Sequence, residues 1–184
     1  MNGLKSLFFV TLVTLSLTGC REVTPISPVV STPTRSVILV NTSFELGGSA
    51  TYSGWTVSDL TRAGFSSDTP PDGGLWSASM ITASGTPVYA QTTVPTTPGN
   101  QVYKLTVWSK KTVIDGAAAL ILKRETGAES SSSVPINVVG WQTYTLFDTL
   151  STLPGDSVIV RLSGGRSIQP TGSVLFDLCL LEQL

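Results

Sequence analysis

The 184-residue sequence contains no histidine and only two cysteines. Without histidine, a Ser-His-Asp or Cys-His nucleophile system and a histidine-ligated zinc site are excluded. Charged residues are scarce and balanced, with 11 Lys and Arg against 12 Asp and Glu. This balance provides no basic surface of the kind that binds nucleic acid, so nucleic acid is not an expected partner.

Long windows of helix-forming residues are also missing, whereas Thr, Ser, Gly and Val are abundant. This composition favours β structure. The longest regular alternation covers residues 101–110, where Tyr103, Leu105 and Val107 share one side. Such a pattern is typical of an antiparallel strand with one packed face and one solvent-exposed face.

Short segments of this kind, separated by Gly and Pro turns, recur through the chain and predict an all-β antiparallel β-sandwich. Residues 64–74 and the serine-rich residues 129–133 are predicted loops. Trp55, Trp76 and Trp141 are predicted core residues, and Cys179, flanked by leucines, is predicted to be a small buried hydrophobe. The predicted strands are residues 37–40, 54–57, 75–81, 87–94, 101–110, 117–124, 134–139, 142–147, 157–162 and 175–181.

The first 19 residues form a predicted secretory signal peptide, in which Lys5 supplies the positive charge. The apolar stretch at residues 7–15 is short for a membrane span. The signal ends in Leu-Thr-Gly-Cys at residues 17–20, which resembles the bacterial lipobox. That resemblance implies lipidation of Cys20 and a durable lipid anchor. An ordinary signal peptide with a cysteine after its last glycine is the alternative interpretation.

The residue after Cys20 is Arg21 rather than Asp, a pattern that resembles lipoproteins passed on to the outer membrane. We therefore expect a cell-envelope location, with the outer membrane favoured where the bacterium has one. Residues 20–35 are rich in Pro, Ser and Thr and predict an extended linker. The β-sandwich domain is predicted to span residues 36–184.

Several short motifs follow one another in an order that resembles the jelly-roll carbohydrate-binding modules of bacterial cellulases and xylanases, within the galactose-binding-like fold. The resemblance covers about residues 37–182 and implies non-catalytic carbohydrate binding. Two features depart from it, because no catalytic domain accompanies the module and the usual acidic doublet of the last strand is reduced to Asp177. The motifs are residues 41–45, Trp55, residues 88–94, 98–99, 103–110, 140–144 and 174–178.

Tyr89, Gln91, Lys104, Thr106 and Trp108 are the candidate ligand-binding residues. All five take outward positions on two strands that we expect to form a tight hairpin, which would gather them into one patch. An aromatic ring can stack on the apolar face of a pyranose while amides and hydroxyls pair with its hydroxyl groups. The alternative is that Trp108 and Tyr89 pack under a loop or on the second sheet.

Glu45 and Asp177 are the candidate ligands of a structural calcium, which the resembling family often holds near its first and last strands. Calcium prefers six to eight oxygen ligands. A surface or hydrogen-bonded role for these two acids is the alternative. Asp68 and Asp72 lie in the predicted loop without an evident partner, so no carboxylate pair for glycosidase chemistry is expected.

The leading hypothesis is a lipid-anchored protein whose β-sandwich binds a polysaccharide or envelope glycan without catalysis. The second hypothesis is a structural or adhesive envelope lipoprotein that contacts another protein. The surroundings of Trp108 distinguish the two, because an open groove favours a glycan and a covering loop favours protein contact or a purely structural role.

Overall fold

The computed structural model describes residues 36–37, 39, 41–82, 86–165 and 172–184. These residues all belong to one structural unit, Pro33–Leu184. The predicted signal peptide, Cys20 and residues 20–35 lie outside the described residues, as do Ile38 and Val40. Within the described ranges, no helix is long and apolar enough to cross a membrane.

The described chain is all-β, as predicted. Strand lengths vary from two residues to thirteen, and the longest strand contains the alternating segment at residues 101–110. In chain order the strands are β1 (Ser36–Val37), β2 (Glu45–Leu46), β3 (Ser49–Ala50), β4 (Thr56–Val57), β5 (Ala63–Ser66), β6 (Ser77–Thr82), β7 (Tyr89–Pro95), β8 (Gly99–Lys111), β9 (Gly116–Lys123), β10 (Glu129–Ile136), β11 (Gln142–Thr152), β12 (Ser157–Ser163) and β13 (Gly172–Gln183).

Two antiparallel sheets form the sandwich. The first sheet has the strand order β11-β8-β13-β6-β5, and β1 adds to it by pairing with β13. The second sheet has the order β10-β9-β12-β7-β4, and β2 and β3 form a separate two-stranded ribbon. The predicted antiparallel β-sandwich is therefore confirmed.

The core lies between the two sheets and is built by period-2 alternation. Tyr103, Leu105 and Val107 of β8 are buried in it, as predicted. Val158, Val160 and Leu162 of β12 face them from the second sheet and are also buried. Burial of each such aliphatic side chain contributes about 1.5–3 kcal/mol, so alternation alone fixes which face of each strand points inward.

The predicted loop at residues 129–133 is wrong, and the predicted loop at residues 64–74 is wrong at its start. The serine-rich residues 129–133 belong to β10, which pairs with β9 at the edge of the second sheet. Most of these side chains are exposed at that edge, so the positions are occupied by polar residues and show no alternation of apolar and polar residues. Residues 64–66 are likewise part of β5, paired with β6, so the loop between these strands begins at Ser67.

The predicted hairpin between β7 and β8 is also wrong. β7 pairs with β12 and β4, whereas β8 pairs with β11 and β13, so the two strands lie in opposite sheets. The connection crosses between the sheets and is held by Thr152, whose Oγ1 donates to the carbonyls of Thr97 (2.7 Å) and Gly99 (3.1 Å). Alternation identifies the inward face of a strand but not the sheet to which it belongs.

The tryptophans divide differently from the prediction. Trp55 is buried as expected, and its indole N–H donates to the carbonyl oxygen of Asn41 at 3.2 Å. Trp76 and Trp141 are only half-buried, so the prediction of core positions is wrong for both. Each precedes its strand and lies beside a loop. Cys179 is fully buried as predicted, and burial raises the pKa of its thiol, which makes it unreactive.

Candidate functional site

The outer face of the first sheet carries three of the candidate residues. Lys104, Thr106 and Trp108 point outward from β8, and their partners on β11 are Phe147, Thr145 and Thr143. Residues directly opposite in an antiparallel pair share a face, so the six side chains form one surface. We call this surface the tryptophan face.

One end of the tryptophan face is open. Phe147 is 60% exposed, and Thr145, the next outward residue of β11, is exposed beside it. Lys104 crosses to β13, where its Nζ lies 2.9 Å from Glu182 Oε2. Thr106 Oγ1 is buried with no hydrogen-bond partner in the described structure. This end therefore combines an accessible aromatic ring with hydroxyl and charged groups.

The other end is covered by the loop at residues 67–76. Asp68 in this loop forms an ion pair with Lys110 and accepts a hydrogen bond from the indole N–H of Trp141 at 2.8 Å. The Lys110 ammonium also lies 5.6 Å from the centre of the Trp141 ring. The hydrogen bonds from Lys110 and Trp141 lower the pKa of Asp68. The expectation that Asp68 lacks a partner is therefore wrong, and half-buried Trp108 lies next to this covered end.

Tyr89 and Gln91 lie on the outer face of the second sheet, so they cannot form one patch with Trp108. On that face, Gln91 is opposite Arg161 of β12. Arg161 donates from Nε to Gln91 Oε1 at 2.9 Å, and its guanidinium carbon lies 4.6 Å from the centre of the Tyr89 ring. We call the surface around Tyr89, Gln91 and Arg161 the arginine face. The prediction that all five candidates form a single patch fails because it depended on the hairpin.

Glu45 and Asp177 are brought together by the loop at residues 67–76. Glu45 Oε1 accepts hydrogen bonds from the backbone N–H groups of Leu75 and Trp76. Asp177 is fully buried, its Oδ1 accepts a hydrogen bond from the Leu178 N–H at 2.7 Å, and its Oδ2 has no partner in the described structure. Burial raises the pKa of Asp177 to about 7; the Leu178 bond lowers it and the negative charge of Glu45 raises it.

The backbone next to both carboxylates adopts left-handed conformations. Asn41, Phe44 and Leu178 have φ values of 54°, 57° and 45°, which are uncommon for residues with a side chain. The register of β13 against β8 also shifts between Asp177 and Leu180, as in a β-bulge. These irregularities turn Asp177 toward the loop while Phe176 and Cys179 stay in the core.

Glycines make room for the two carboxylates. A Cβ on Gly73 would collide with Asp177 Oδ2, and a Cβ on Gly74 would lie 2.6 Å from Glu45 Oε1. Among the described residues, no three His, Cys, Asp or Glu side chains lie close enough together to hold a metal ion, so a metal here would depend on these two carboxylates plus backbone and water oxygens. An unpartnered buried carboxylate oxygen beside a second acid fits a hard cation such as calcium.

A polar cleft of about 290 Å³ opens between β10 and β11 at one side of the sandwich. Ser132 Oγ donates to Asp148 Oδ2 across it at 2.7 Å. Arg124 lines the same cleft, but its Nη1 bonds Asp156 Oδ2 at 2.6 Å and the Ser151 carbonyl at 2.9 Å. No aromatic ring lines this cleft, so it lacks the stacking surface that sugar binding uses.

Comparison with solved structures identifies the same sandwich in other proteins. A family 61 carbohydrate-binding module in complex with beta-1,4-galactotriose superposes with a TM-score of 0.56 and 20% identity, over 79% of this chain and 97% of that one. The CBM22-1 xylan-binding domain of Paenibacillus barcinonensis Xyn10C gives 0.52 and 16%, over 79% and 94%. The enzymatically active domain of tailspike protein 4 from bacteriophage CBA120 gives 0.61 and 17%, over 80% of this chain.

These similarities establish the fold and not the ligand, because all of the identities are low. The chain spans only about a fifth of the tailspike protein's length, since 21% of that chain is covered. It spans nearly the whole of both carbohydrate-binding modules. No family model and no curated protein matches the sequence.

Proposed function

We propose that the protein binds carbohydrate without catalysis, through the tryptophan face. The observation that carries this proposal is the open end of that face, where Phe147 is 60% exposed in a row with Lys104. An exposed aromatic ring on a sheet offers a flat surface on which the apolar face of a pyranose can stack. Its neighbours supply the hydroxyl and ammonium groups that pair with sugar hydroxyls.

Carbohydrate-binding modules that this chain matches over nearly their whole length support this proposal at the level of the fold. The chemistry of the face supports it further. Lys104 is neutralised by Glu182, so the open end of the tryptophan face carries no unbalanced charge. Such a surface suits a neutral glycan, for which stacking and hydrogen bonds provide the binding energy.

A glycan array followed by titration calorimetry tests the proposal. The protein is expected to retain one class of neutral oligosaccharide and to return it uncleaved, as chromatography of the mixture after prolonged incubation would show. Absence of binding across the array would contradict glycan recognition, and release of shorter products would contradict the non-catalytic part.

The second candidate function is adhesion to another envelope protein, and one observation favours it. The loop at residues 67–76 covers the face next to Trp108, as it would if the tryptophan served only packing. The open end at Phe147 favours the glycan instead. Protein contact would therefore be the better account if the array returned nothing.

We further propose that Glu45 and Asp177 hold a structural calcium. When bound, the ion would supply positive charge between two acids that otherwise repel each other and would complete the coordination of Asp177 Oδ2. Its role would be to fix the loop at residues 67–76, whose backbone already contacts Glu45. Asp177 is the partner of Trp108 in the pairing of β13 with β8, so the ion would lie beside Trp108 under this loop and would stabilise that end of the tryptophan face.

The lipid anchor at Cys20 remains a proposal drawn from the sequence, together with the location in the cell envelope. Cys20 lies outside the described residues. In a bacterial host fed labelled fatty acid, the wild type is expected to become labelled and Cys20→Ser to remain unlabelled and uncleaved. Equal labelling of the two proteins would contradict the anchor.

A further inference from the structure

Arg161 lies at the centre of a row of side chains that crosses the second sheet. Val160 and Leu162 of the same strand point into the core, so Arg161 points outward. The residues opposite it on the neighbouring strands are Gln91 of β7 and Ala119 of β9. Thr56 of β4 and Ser133 of β10 extend this row to both edges of the sheet. Five strands about 4.8 Å apart give a row of roughly 19 Å.

The side chain of Arg161 is held in place before any ligand arrives. Gln91 Oε1 accepts its Nε–H at 2.9 Å, and the ring of Tyr89 lies 4.6 Å from the guanidinium carbon. A hydrogen bond and a stacked ring together fix the plane of the guanidinium. Less conformational entropy is then lost when a ligand binds, which favours recognition at this position.

Arg161 differs from the other partly buried cations of the described chain because it has no carboxylate partner there. Its Nη1 and Nη2 groups donate no hydrogen bond to a described residue, although a guanidinium offers five N–H donors. The Gln91 amide nitrogen beside it also donates to no described residue. The cations that do pair with a carboxylate are Arg62, Lys104, Lys110, Lys111 and Arg124.

From this geometry we infer that the arginine face is a second binding site, specific for the carboxylate of an acidic glycan such as a uronic acid chain. Two Nη groups in one plane match the two oxygens of a carboxylate, and such bidentate pairs are among the stronger hydrogen-bonded interactions. The Gln91 amide adds a further donor, and Thr56 and Thr93, both exposed, add hydroxyl groups for the sugar ring.

The centre of the sheet favours a glycan over an extended peptide. The backbone groups of β7 and β12 are paired on both sides within the sheet, so a peptide cannot add as a further strand at this position. Recognition must therefore come from side chains alone. The inference relies on the proposed function only for the sugar framework, because the carboxylate preference follows from Arg161 itself.

Titration calorimetry on the purified full-length protein in detergent tests the inference with two matched probes. One probe is tetragalacturonate, and the other is the same tetrasaccharide with its carboxyl groups reduced to alcohols. The wild type is expected to prefer the acidic probe, with an affinity that falls as sodium chloride is raised. Arg161→Gln should weaken tetragalacturonate about tenfold, which is about 1.4 kcal/mol, and leave the reduced probe unchanged.

Two further variants separate recognition from general charge. Lys123→Gln removes the same charge from the exposed end of β9 on the same face, roughly 13 Å along the strand from Ala119, and should change nothing. Arg161→Lys keeps the charge but loses the planar fork, so its affinity should fall between those of the wild type and Arg161→Gln. Thermal unfolding of each variant is measured in parallel. If Arg161→Gln is unstable, the affinity of Arg161→Lys and the salt dependence of wild-type binding still test the inference.

Equal binding of the two probes, or an equal loss in Lys123→Gln, would overturn the inference while leaving neutral-glycan binding at the tryptophan face intact. Binding of a tetraglutamate peptide as tightly as tetragalacturonate would overturn the assignment to a glycan. Binding of tetragalacturonate through Arg161 without any neutral glycan would support the inference and contradict the proposed role of the tryptophan face. The two proposals can therefore fail separately.

Discussion

The two outer faces of the sandwich are built by the same strand alternation and offer opposite chemistry. On the tryptophan face, Lys104 and Lys110 are each neutralised by a carboxylate, and Phe147 remains exposed. On the arginine face, Arg161 has no carboxylate partner in the described structure and lies against Tyr89. We therefore expect the balance of charge, rather than the number of aromatic rings, to decide whether each face binds a neutral ligand or an anion.

The faces also differ in what supports them. The tryptophan face depends on the loop at residues 67–76, which has no regular secondary structure. Asp68 of this loop bonds to Trp141, and the loop backbone bonds to Glu45 and packs against Asp177. The arginine face is positioned by regular antiparallel pairing among β4, β7, β12 and β9. Changes in the loop should therefore alter the first face and leave the second intact.

The largest effect is expected from Gly74→Ala. Gly74 has φ near +58°, and a Cβ there would lie 2.6 Å from Glu45 Oε1. The left-handed conformation costs about 1–2 kcal/mol for a residue with a side chain, and the collision adds about 1–3 kcal/mol. We expect the free energy of unfolding, measured with urea, to fall by the sum of these two costs.

Gly47→Ala provides the matched control, because Gly47 has φ near +61° and no atom lies within 4 Å of the position that its new methyl group would take. It should show the conformational cost without the collision. Equal losses in Gly47→Ala and Gly74→Ala would mean that the loop does not press on Glu45. Galacturonate binding at the arginine face should survive both changes.

A smaller effect on stability is expected from Asp177→Asn, which should be destabilising with calcium present and neutral or stabilising in chelator. If calcium binds, the wild type should gain about 2.7 kcal/mol of stability at a hundredfold excess over the dissociation constant, and the variant should lose this gain. In chelator, Asp177→Asn should be at least as stable as the wild type, because it removes a buried acid that repels Glu45. Melting curves of both proteins, with and without chelator, provide the measurement.

A melting temperature of the wild type that does not respond to chelator, with no calcium in elemental analysis, would rule the ion out. A variant that is much less stable than the wild type even in chelator would instead show that the Asp177 hydrogen bond to Leu178 stabilises the bulge. Either result would leave the description of the two faces unchanged.

The smallest effect is expected from Asp68→Asn, which weakens the contact of the loop with Lys110. Asp68 is about half exposed, so the pair should contribute less than about 1 kcal/mol. The pKa of Asp68 is lowered in the folded state, so its contribution is present above the unfolded pKa near 3.9 and is lost as the pH falls through the folded value. Unfolding at pH 7 and pH 3 should therefore differ less in Asp68→Asn than in the wild type, and an unchanged difference would contradict this assignment.

Much of the fold could be predicted from the sequence because, in the long strands, the alternation of apolar and polar residues shows which face points into the core. The alternation of Tyr103, Leu105 and Val107 was sufficient to place β8 in a sandwich. The predicted strand at residues 134–139 includes the end of β10, but residues 129–133 of β10 could not be predicted, because a run of polar side chains carries no apolar period. The sheet assignment of β7 was also out of reach, since alternation does not encode pairing partners.

The candidate sites were only partly predictable for a related reason. Glu45 and Asp177 were identified through a family resemblance, and the structure brings them close together. Arg161 gave no signal, because an arginine at an outward strand position is ordinary in a sequence. Its importance depends on the register of three strands, which places Gln91 and Tyr89 beside it and no acid. Phe147 lies within the predicted strand at residues 142–147, but its position beside Lys104 depends on the register of β11 with β8, which the sequence does not show.

Glycan binding on the tryptophan face is tested by Phe147→Ala and Trp108→Ala, each titrated with the neutral glycan that the array returns. We expect each change to weaken binding by about 1–3 kcal/mol, while the free energy of unfolding falls by far less than the roughly 3–5 kcal/mol typical of emptying a core aromatic site. Unchanged affinity in both variants would contradict the claim. A core-sized loss of stability in Trp108→Ala would show that this tryptophan serves packing beneath the loop.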